Sequence, residues 1–306
     1  MSARLFNHAV AQLGRGQVDA AIETLARLLG QSPDDADAHA LLALCLLRRK
    51  RLHAARLEAG TALSLEADSV FAHRAMAGVL SASRRFDEAM AHLRAAHALD
   101  PEDAETELAA ASLHLDHART REAGEHAERA RELAPENAAT WTMLAAVARA
   151  RGDLQTAEAL ATSALAMDPE SVEALVLVGH AALERGEVPA AREHAAWALR
   201  QDPEDAAALA LLCAIKARQS PWMGLWWRFQ TWVTRGGGAR TVVILLGLFL
   251  AYRAAAILLE GAGRADIADA MRIAWLAFCV YTWVAPAIFI KAVRRELEQV
   301  RLRPGF

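Results

Sequence analysis

What this chain lacks narrows its chemistry before any motif is found. Of its 306 residues only three are cysteine, Cys45, Cys213 and Cys279. They are too few and too scattered for a disulfide framework, and they fall at apolar positions where an inert buried thiol is expected. No alternating strand pattern is visible, and no glycine-rich phosphate loop follows a strand. No serine sits in a nucleophile elbow. The eleven histidines are spread along the chain. The nearest approach to a metal motif, His114 and His117 with Asp116, lacks the glutamate of a zinc protease, so no metal is expected. A net charge of −3 excludes a uniformly basic nucleic-acid binder. The N-terminus, Met1 to His8, has no secretory apolar region.

Two different kinds of sequence are joined near residue 220. Residues 1–220 hold 23 basic and 32 acidic groups, whereas 221–306 hold 11 and 5, along with six of the eight tryptophans. The first part is periodic. Prolines stand at 33, 101, 135, 169 and 203, with Ala67 where another would fall. This defines six units of 34 residues, 2–35, 36–69, 70–103, 104–137, 138–171 and 172–205, without insertion or deletion. Position 8 of the unit reads Ala9, Ala43, Ala77, Ala111, Ala145, Gly179. Position 20 is alanine six times, from Ala21 to Ala191, and position 27 is alanine in every unit but the first, which has Leu28. Small residues at such spacing let two antiparallel helices approach closely. Bulky residues fill the flanking holes, such as Leu42, Met76 and Leu144 at position 7 and Leu52, Phe86 and Leu154 at position 17. Gly16, Gly152 and Gly186 mark the turn between the helices. The fourth unit is weakest, with Glu107, Ala110 and Thr120 where bulky groups are expected.

Period, spacing and small-residue pattern together resemble the tetratricopeptide repeat (TPR) family over about residues 1–220. The resemblance implies an all-α, right-handed superhelix of helix–turn–helix units, with residues 206–217 as a capping helix. It also implies a concave groove, lined by the first helix of each unit, for a peptide or helix of another protein. The candidate partner-binding residues are Phe6, Val10, Leu13, Leu44, Leu47, Arg74, Ser81, Arg149 and His180. Leu44 and Leu47 could equally pack between helices, and Arg74 and Arg149 could pair with an acidic ligand or within the chain. The lysine and asparagine pair of a carboxylate clamp is missing, because those positions hold Phe6 and Val10, Ala40 and Leu44, Arg74 and Gly78. The run Arg48-Arg49-Lys50-Arg51 lies at a helix turn and reads as a solvated patch.

The remaining residues carry two apolar runs. Val242–Leu259 contains the single charge Arg253, and Ile273–Ile290 contains none. Eighteen helical residues reach about 27 Å, near the hydrocarbon thickness of a bilayer. A transmembrane hairpin at 241–293 is therefore expected. Eight arginines and lysines flank it outside and two lie in its loop, which places both termini in the cytoplasm. Trp222, Trp226 and Phe229, with Trp232 nearby, suggest a membrane-interface helix over 221–235. A glycine linker at 236–240 and a basic tail at 294–306 complete the division. Gly247, Ala251 and Ala255 form a small-residue stripe for transmembrane packing, with Arg253 near the far interface.

The sequence expectation is thus a non-enzymatic scaffold at the cytoplasmic membrane, with no cofactor and no metal. It would bind a protein partner in its TPR groove and the bilayer through its hairpin. The stripe could meet the second span or another membrane protein. The competing reading is a structural or assembly subunit of a larger membrane complex, with the hairpin as its main contact.

Overall fold

The computed structural model describes residues 2–202, 205–219, 238–261, 264, 267, 269–276 and 279. The chain separates into two compact units, Met1–Asp205 and Ala206–Phe306. Among the described residues there is no strand.

The first unit is a run of helix pairs. The first helices are α1 (Ser2–Gly14), α3 (Ala36–Arg48), α5 (Val70–Ala82), α7 (Ala104–Asp116), α9 (Ala138–Arg151) and α11 (Val172–Arg185). The second helices are α2 (Val18–Gln31), α4 (Leu52–Leu65), α6 (Phe86–Leu99), α8 (Thr120–Leu133), α10 (Leu154–Met167) and α12 (Val188–Gln201). Alanine-rich composition favours each helix locally, and a polar residue at the last position of each unit starts the next one. Asp35, Ser69, Asp103, Asn137 and Ser171 each accept a hydrogen bond from a backbone N–H in the first turn of the following helix.

The turn inside each unit needs a left-handed residue. Gly16, Gly152 and Gly186 supply it with φ of 71°, 85° and 88°. In the second, third and fourth units Lys50, Arg84 and Ala118 adopt φ of 58°, 61° and 57° at the equivalent place. A side chain there is strained, because its Cβ crowds the following carbonyl oxygen.

Packing follows the alanine columns. Ala21, Ala55, Ala89, Ala123 and Ala191 are wholly buried, as are Ala62, Ala96, Ala130, Ala164 and Ala198. Such contacts let neighbouring helices meet closely along the whole unit. Larger core residues fill the spaces between pairs, such as Leu25, Leu28 and Leu41 at one end and Leu80, Leu93 and Leu113 in the middle. The end of the sixth pair returns toward the first two. Arg48 Nη1 lies 3.9 Å from Asp202 Oδ2, and a Cβ on Gly16 would sit 3.2 Å from Asp202 Cγ.

The second unit contains α13 (Ala206–Gln219) and α14 (Gly238–Gly261). Gly238 to Arg240, expected in a linker, form the opening turn of α14, where the N–H groups lack helical partners in any case. Tyr252 on α14 stacks on Trp275 with ring centroids 4.7 Å apart, and Phe249 lies 6.2 Å from the same ring.

The membrane location expected from the sequence is overturned. Among the described residues no helix is long and apolar enough to cross a membrane. α14 carries the charge of Arg253 within its apolar run. The aromatic contacts to Trp275 occupy part of its apolar surface within the protein itself. A Cβ on Gly247 would meet nothing within 4 Å, Ala251 is exposed and Ala255 half-buried, so no close helix crossing is built on that stripe among the described residues. Most of the second apolar run lies outside the described residues. So do Trp222, Trp226, Phe229, Trp232 and the basic tail.

Candidate functional site

A groove of about 620 Å³ runs across the second, third and fourth helix pairs. Three first helices build it. α3 contributes Leu44 and Leu47, α5 contributes Phe71, Arg74, Gly78 and Ser81, and α7 contributes Leu108, Ser112 and Asp116. Leu44, Leu47, Arg74 and Ser81 were expected partner-binding residues, and the structure brings these four together. A Cβ on Gly78 would stand 3.5 Å from Leu47 Cδ2, in ordinary van der Waals contact with the floor.

The electrostatics of the groove differ from those read in the sequence. Arg74 Nη1 donates to Asp103 at 3.0 and 3.2 Å, and its guanidinium carbon lies 5.7 Å from the Phe71 ring centre. The same Asp103 carboxylate caps α7 by accepting from the Thr106 N–H at 3.0 Å. The positive charge is therefore neutralised inside the protein. Glu105 and Asp116 are exposed in the groove, and neither meets a cation among the described residues. Glu105 accepts only from the neutral Asn137 side chain, at 3.3 Å, so its charge stays uncompensated. The groove is an apolar floor with two carboxylates that no cation balances among the described residues.

The other expected residues lie elsewhere. Phe6 and Leu13 pack against the core of the first two pairs, where Leu25, Leu28 and Leu41 are buried. Val10 is exposed on the same helix. His180 is half-buried, and burial first, then nearby Arg149, holds its imidazole below the usual histidine range. His180 and Arg149 do not line the groove of α3, α5 and α7.

Two family models, both described as tetratricopeptide repeat, match this chain. One covers residues 6–70 and 108–172, the other 148–215, and together they take in more than half of the chain. The chain belongs to the tetratricopeptide repeat family. Among solved structures, the Cut9–Hcn1 APC/C hetero-tetramer is similar at TM-score 0.58 and 16% identity over 70% of this chain. This chain spans only 42% of that one. TTC0263, a thermophilic TPR protein of Thermus thermophilus, is similar at TM-score 0.55 and 20% identity, covering 60% of this chain and 100% of its own. A tetratricopeptide repeat protein of Parabacteroides merdae reaches TM-score 0.50 at 15% identity, over 81% of this chain and 98% of its own. Likeness at these identities establishes the fold alone. No protein of curated function matches the sequence. The TPR fold is typically a non-enzymatic scaffold for protein–protein interaction. Among the described residues no group of three or more histidines, cysteines and carboxylates could hold a metal ion.

Within the TPR units, position 4 proves to be an anchoring position. His39 Nε2 meets the Pro33 carbonyl at 2.9 Å, His73 Nε2 meets that of Ala67 at 3.1 Å, and Trp141 Nε1 donates to Pro135 at 2.7 Å. Each ring N–H thus holds the end of the preceding repeat. The other ring nitrogen of each histidine faces position 23 of its own repeat. His39 Nδ1 lies 2.6 Å from Glu58 Oε2, and His73 Nδ1 lies 2.9 Å from His92 Nδ1. In the fourth repeat the roles reverse, and Glu107 accepts from His126 Nδ1 at 2.7 Å. The histidines are therefore not merely spread. His39 and His73, like His92 and His126, are 34 residues apart, and that interval was the signal available in the sequence.

The soft fourth repeat is filled by charge instead of bulk. Glu107, whose side chain is 4% exposed, also lies 3.3 Å from Arg129 Nε. His97 Nδ1 is 3.0 Å away without making a directed hydrogen bond. Burial would raise the Glu107 carboxyl, but the His126 hydrogen bond and Arg129 hold it below the usual carboxylate range.

Proposed function

We propose that this TPR protein is a scaffold whose groove across repeats two to four binds an amphipathic helix with an apolar face and basic flanks. The observation that carries this reading is the charge balance of the groove. Arg74 is tied to Asp103, while Glu105 and Asp116 stand exposed beside Leu44, Leu47 and Leu108. A helix laid on that floor would bury leucines at helical spacing, and its lysines or arginines would meet the two carboxylates. Phe6, Val10 and Leu13, and on the far side Arg149 and His180, would enter only if a longer partner ran along the whole solenoid.

The test uses the full chain and two synthetic helical peptides with the same leucine face, one flanked by lysine and the other by glutamate. Fluorescence anisotropy should show preferential binding of the basic peptide, weakening with salt. Combined Glu105→Lys and Asp116→Lys should lower its affinity by about tenfold or more. Equal or tighter binding of the acidic peptide would overturn the reading.

A further inference from the structure

A second cleft, of about 280 Å³, opens on the opposite face of α7 from the groove. Glu105, Ala109, Ser112 and Asp116 point to the groove, whereas Glu107, Ala110 and His114 line the cleft, about half a helical turn away. Its floor is apolar, formed by Phe86, Met90, Leu93 and Ala110. Its existence follows from the departures already noted at repeat four. Glu107 and Ala110 occupy positions where bulky side chains would have filled the space.

The polar groups around that floor are asymmetric. Glu107, the acid of the cleft, is already engaged by His126 and Arg129. Two arginines of the lining, Arg94 and Arg119, are exposed and have no carboxylate partner among the described residues. Arg119 instead lies over the Phe86 ring at 4.4 Å, at the edge of the apolar floor. The same lining includes His114, 7% exposed, whose Nδ1 is buried and has no hydrogen-bond partner among the described residues. Its ring packs against Phe86 on one side and His126 on the other, with centroids 5.7 and 5.3 Å away. A buried polar nitrogen without a partner is costly, and such groups usually meet one. Burial first, then the neighbouring His126, keeps this imidazole neutral at ordinary pH. A neutral ring can place its proton on Nδ1 and donate it in a hydrogen bond.

We infer that this cleft is a binding site for a small amphipathic anion, an aromatic or short aliphatic body carrying one carboxylate or phosphate. The body would lie on Phe86, Met90 and Leu93. The oxyanion would meet the charges of Arg94 and Arg119, which supply directed donors, and a rotation of the His114 ring would turn its buried Nδ1 toward the cleft to donate to it. The cleft volume suits a ligand of roughly one aromatic ring and its headgroup, at the small end of ligand pockets. Leu93 is the one lining residue shared with the peptide groove, and the two sites are read with different ligands, so either can fail without the other.

The experiment is an NMR titration of the full chain with histidine ring labels, paired with calorimetry. The probes are phenylacetate, phenyl phosphate, inorganic phosphate and phenethylamine. The expected result is a shift of the His114 ring signal with phenylacetate or phenyl phosphate, and the stronger of the two identifies the headgroup. Arg94→Gln with Arg119→Gln should weaken that binding about tenfold or more while the chain stays folded, since both side chains are exposed. Ala110→Leu, which fills the floor, should abolish it. The inference is overturned if neither anion moves His114 at about 10 mM. It is equally overturned if phenethylamine binds as well, if inorganic phosphate binds as tightly as phenyl phosphate, or if the arginine variants bind unchanged.

Discussion

His73 and His92 face each other with their Nδ1 atoms 2.9 Å apart, where the preceding repeat holds His39 against Glu58. His73 Nε2 is committed to the Ala67 carbonyl, so its Nδ1 must accept the proton that His92 Nδ1 donates. Burial, then the proximity of His73, holds the His92 imidazole below the usual histidine range. The unfolded chain therefore takes up protons first as pH falls. Stability from this pair is present above the ordinary histidine value near 6.5 and is lost as pH drops below it. His114 and His194, also held low by burial, act in the same direction. The melting temperature should fall between about pH 7.5 and pH 5.5. His92→Glu would copy the His39–Glu58 pair, in which both neighbours of the ring accept, and should flatten or reverse the contribution of this repeat. An unchanged pH profile in the variant would show that the pair carries none of the acid sensitivity.

Ala118 holds a left-handed backbone at the turn of the fourth repeat, with φ of 57°. An L-residue there costs about 1–2 kcal/mol, set against the greater chain entropy that glycine loses on folding. Ala118→Gly should therefore stabilise the protein by about 0.5–1 kcal/mol. Gly152→Ala, at φ of 85° with open space around its Cβ, should destabilise it by about 1 kcal/mol. Urea unfolding of the two variants checks both signs, and a loss of stability in Ala118→Gly would be the contrary result.

The departure of repeat four from the bulky pattern was legible in the sequence, but what occupies its place was not. Glu107 is buried among His126, Arg129 and His97, so its removal would leave their charges and donors without an acceptor. Glu107→Ala should cost about 2–4 kcal/mol by urea unfolding. Glu107→Trp should cost less, because Trp141 at the same position of the next repeat anchors through its ring N–H to Pro135 and its bulk would occupy the cleft. The opposite order of the two variants would show that the cleft does not have room for a TPR-type aromatic. At low pH the Glu107 contribution should fade, since a carboxyl held low stabilises above the ordinary glutamate value and is lost as pH falls through its folded one.

Repeat boundaries could be read because they depend on local information. A 34-residue interval, a turn glycine and a column such as Ala21 to Ala191 survive in one dimension. Contacts between repeats could not be read in the same way. Arg74 reaches Asp103, 29 residues on, only because adjacent units stack at one particular angle. The position 4 to position 23 pairs needed the packing of two helices before His39 could be set beside Glu58. Hydropathy misled for the second unit for a related reason. It scores the residues of Val242–Leu259 but not the partner ring, Trp275, against which Tyr252 is stacked.

Arg74 gives the sharpest contrast between the two readings of the groove. If the arginine were a ligand-binding cation, Arg74→Gln would weaken every partner. In the structure its charge is spent on Asp103, whose carboxylate also accepts from the Thr106 N–H at the start of α7. Removing the guanidinium leaves Asp103 still hydrogen-bonded by the helix, so the loss of stability should stay near about 1 kcal/mol. It also leaves Asp103, at the start of α7 and two residues before the groove residue Glu105, without its cation. Arg74→Gln should therefore bind the basic amphipathic peptide more tightly, by about two- to fivefold at low salt, with the gain shrinking as salt rises. Anisotropy titrations of the full chain and the variant at two ionic strengths decide it. A weaker complex in the variant would return Arg74 to the role of a partner-binding cation and shift the expected partner toward acidic helices.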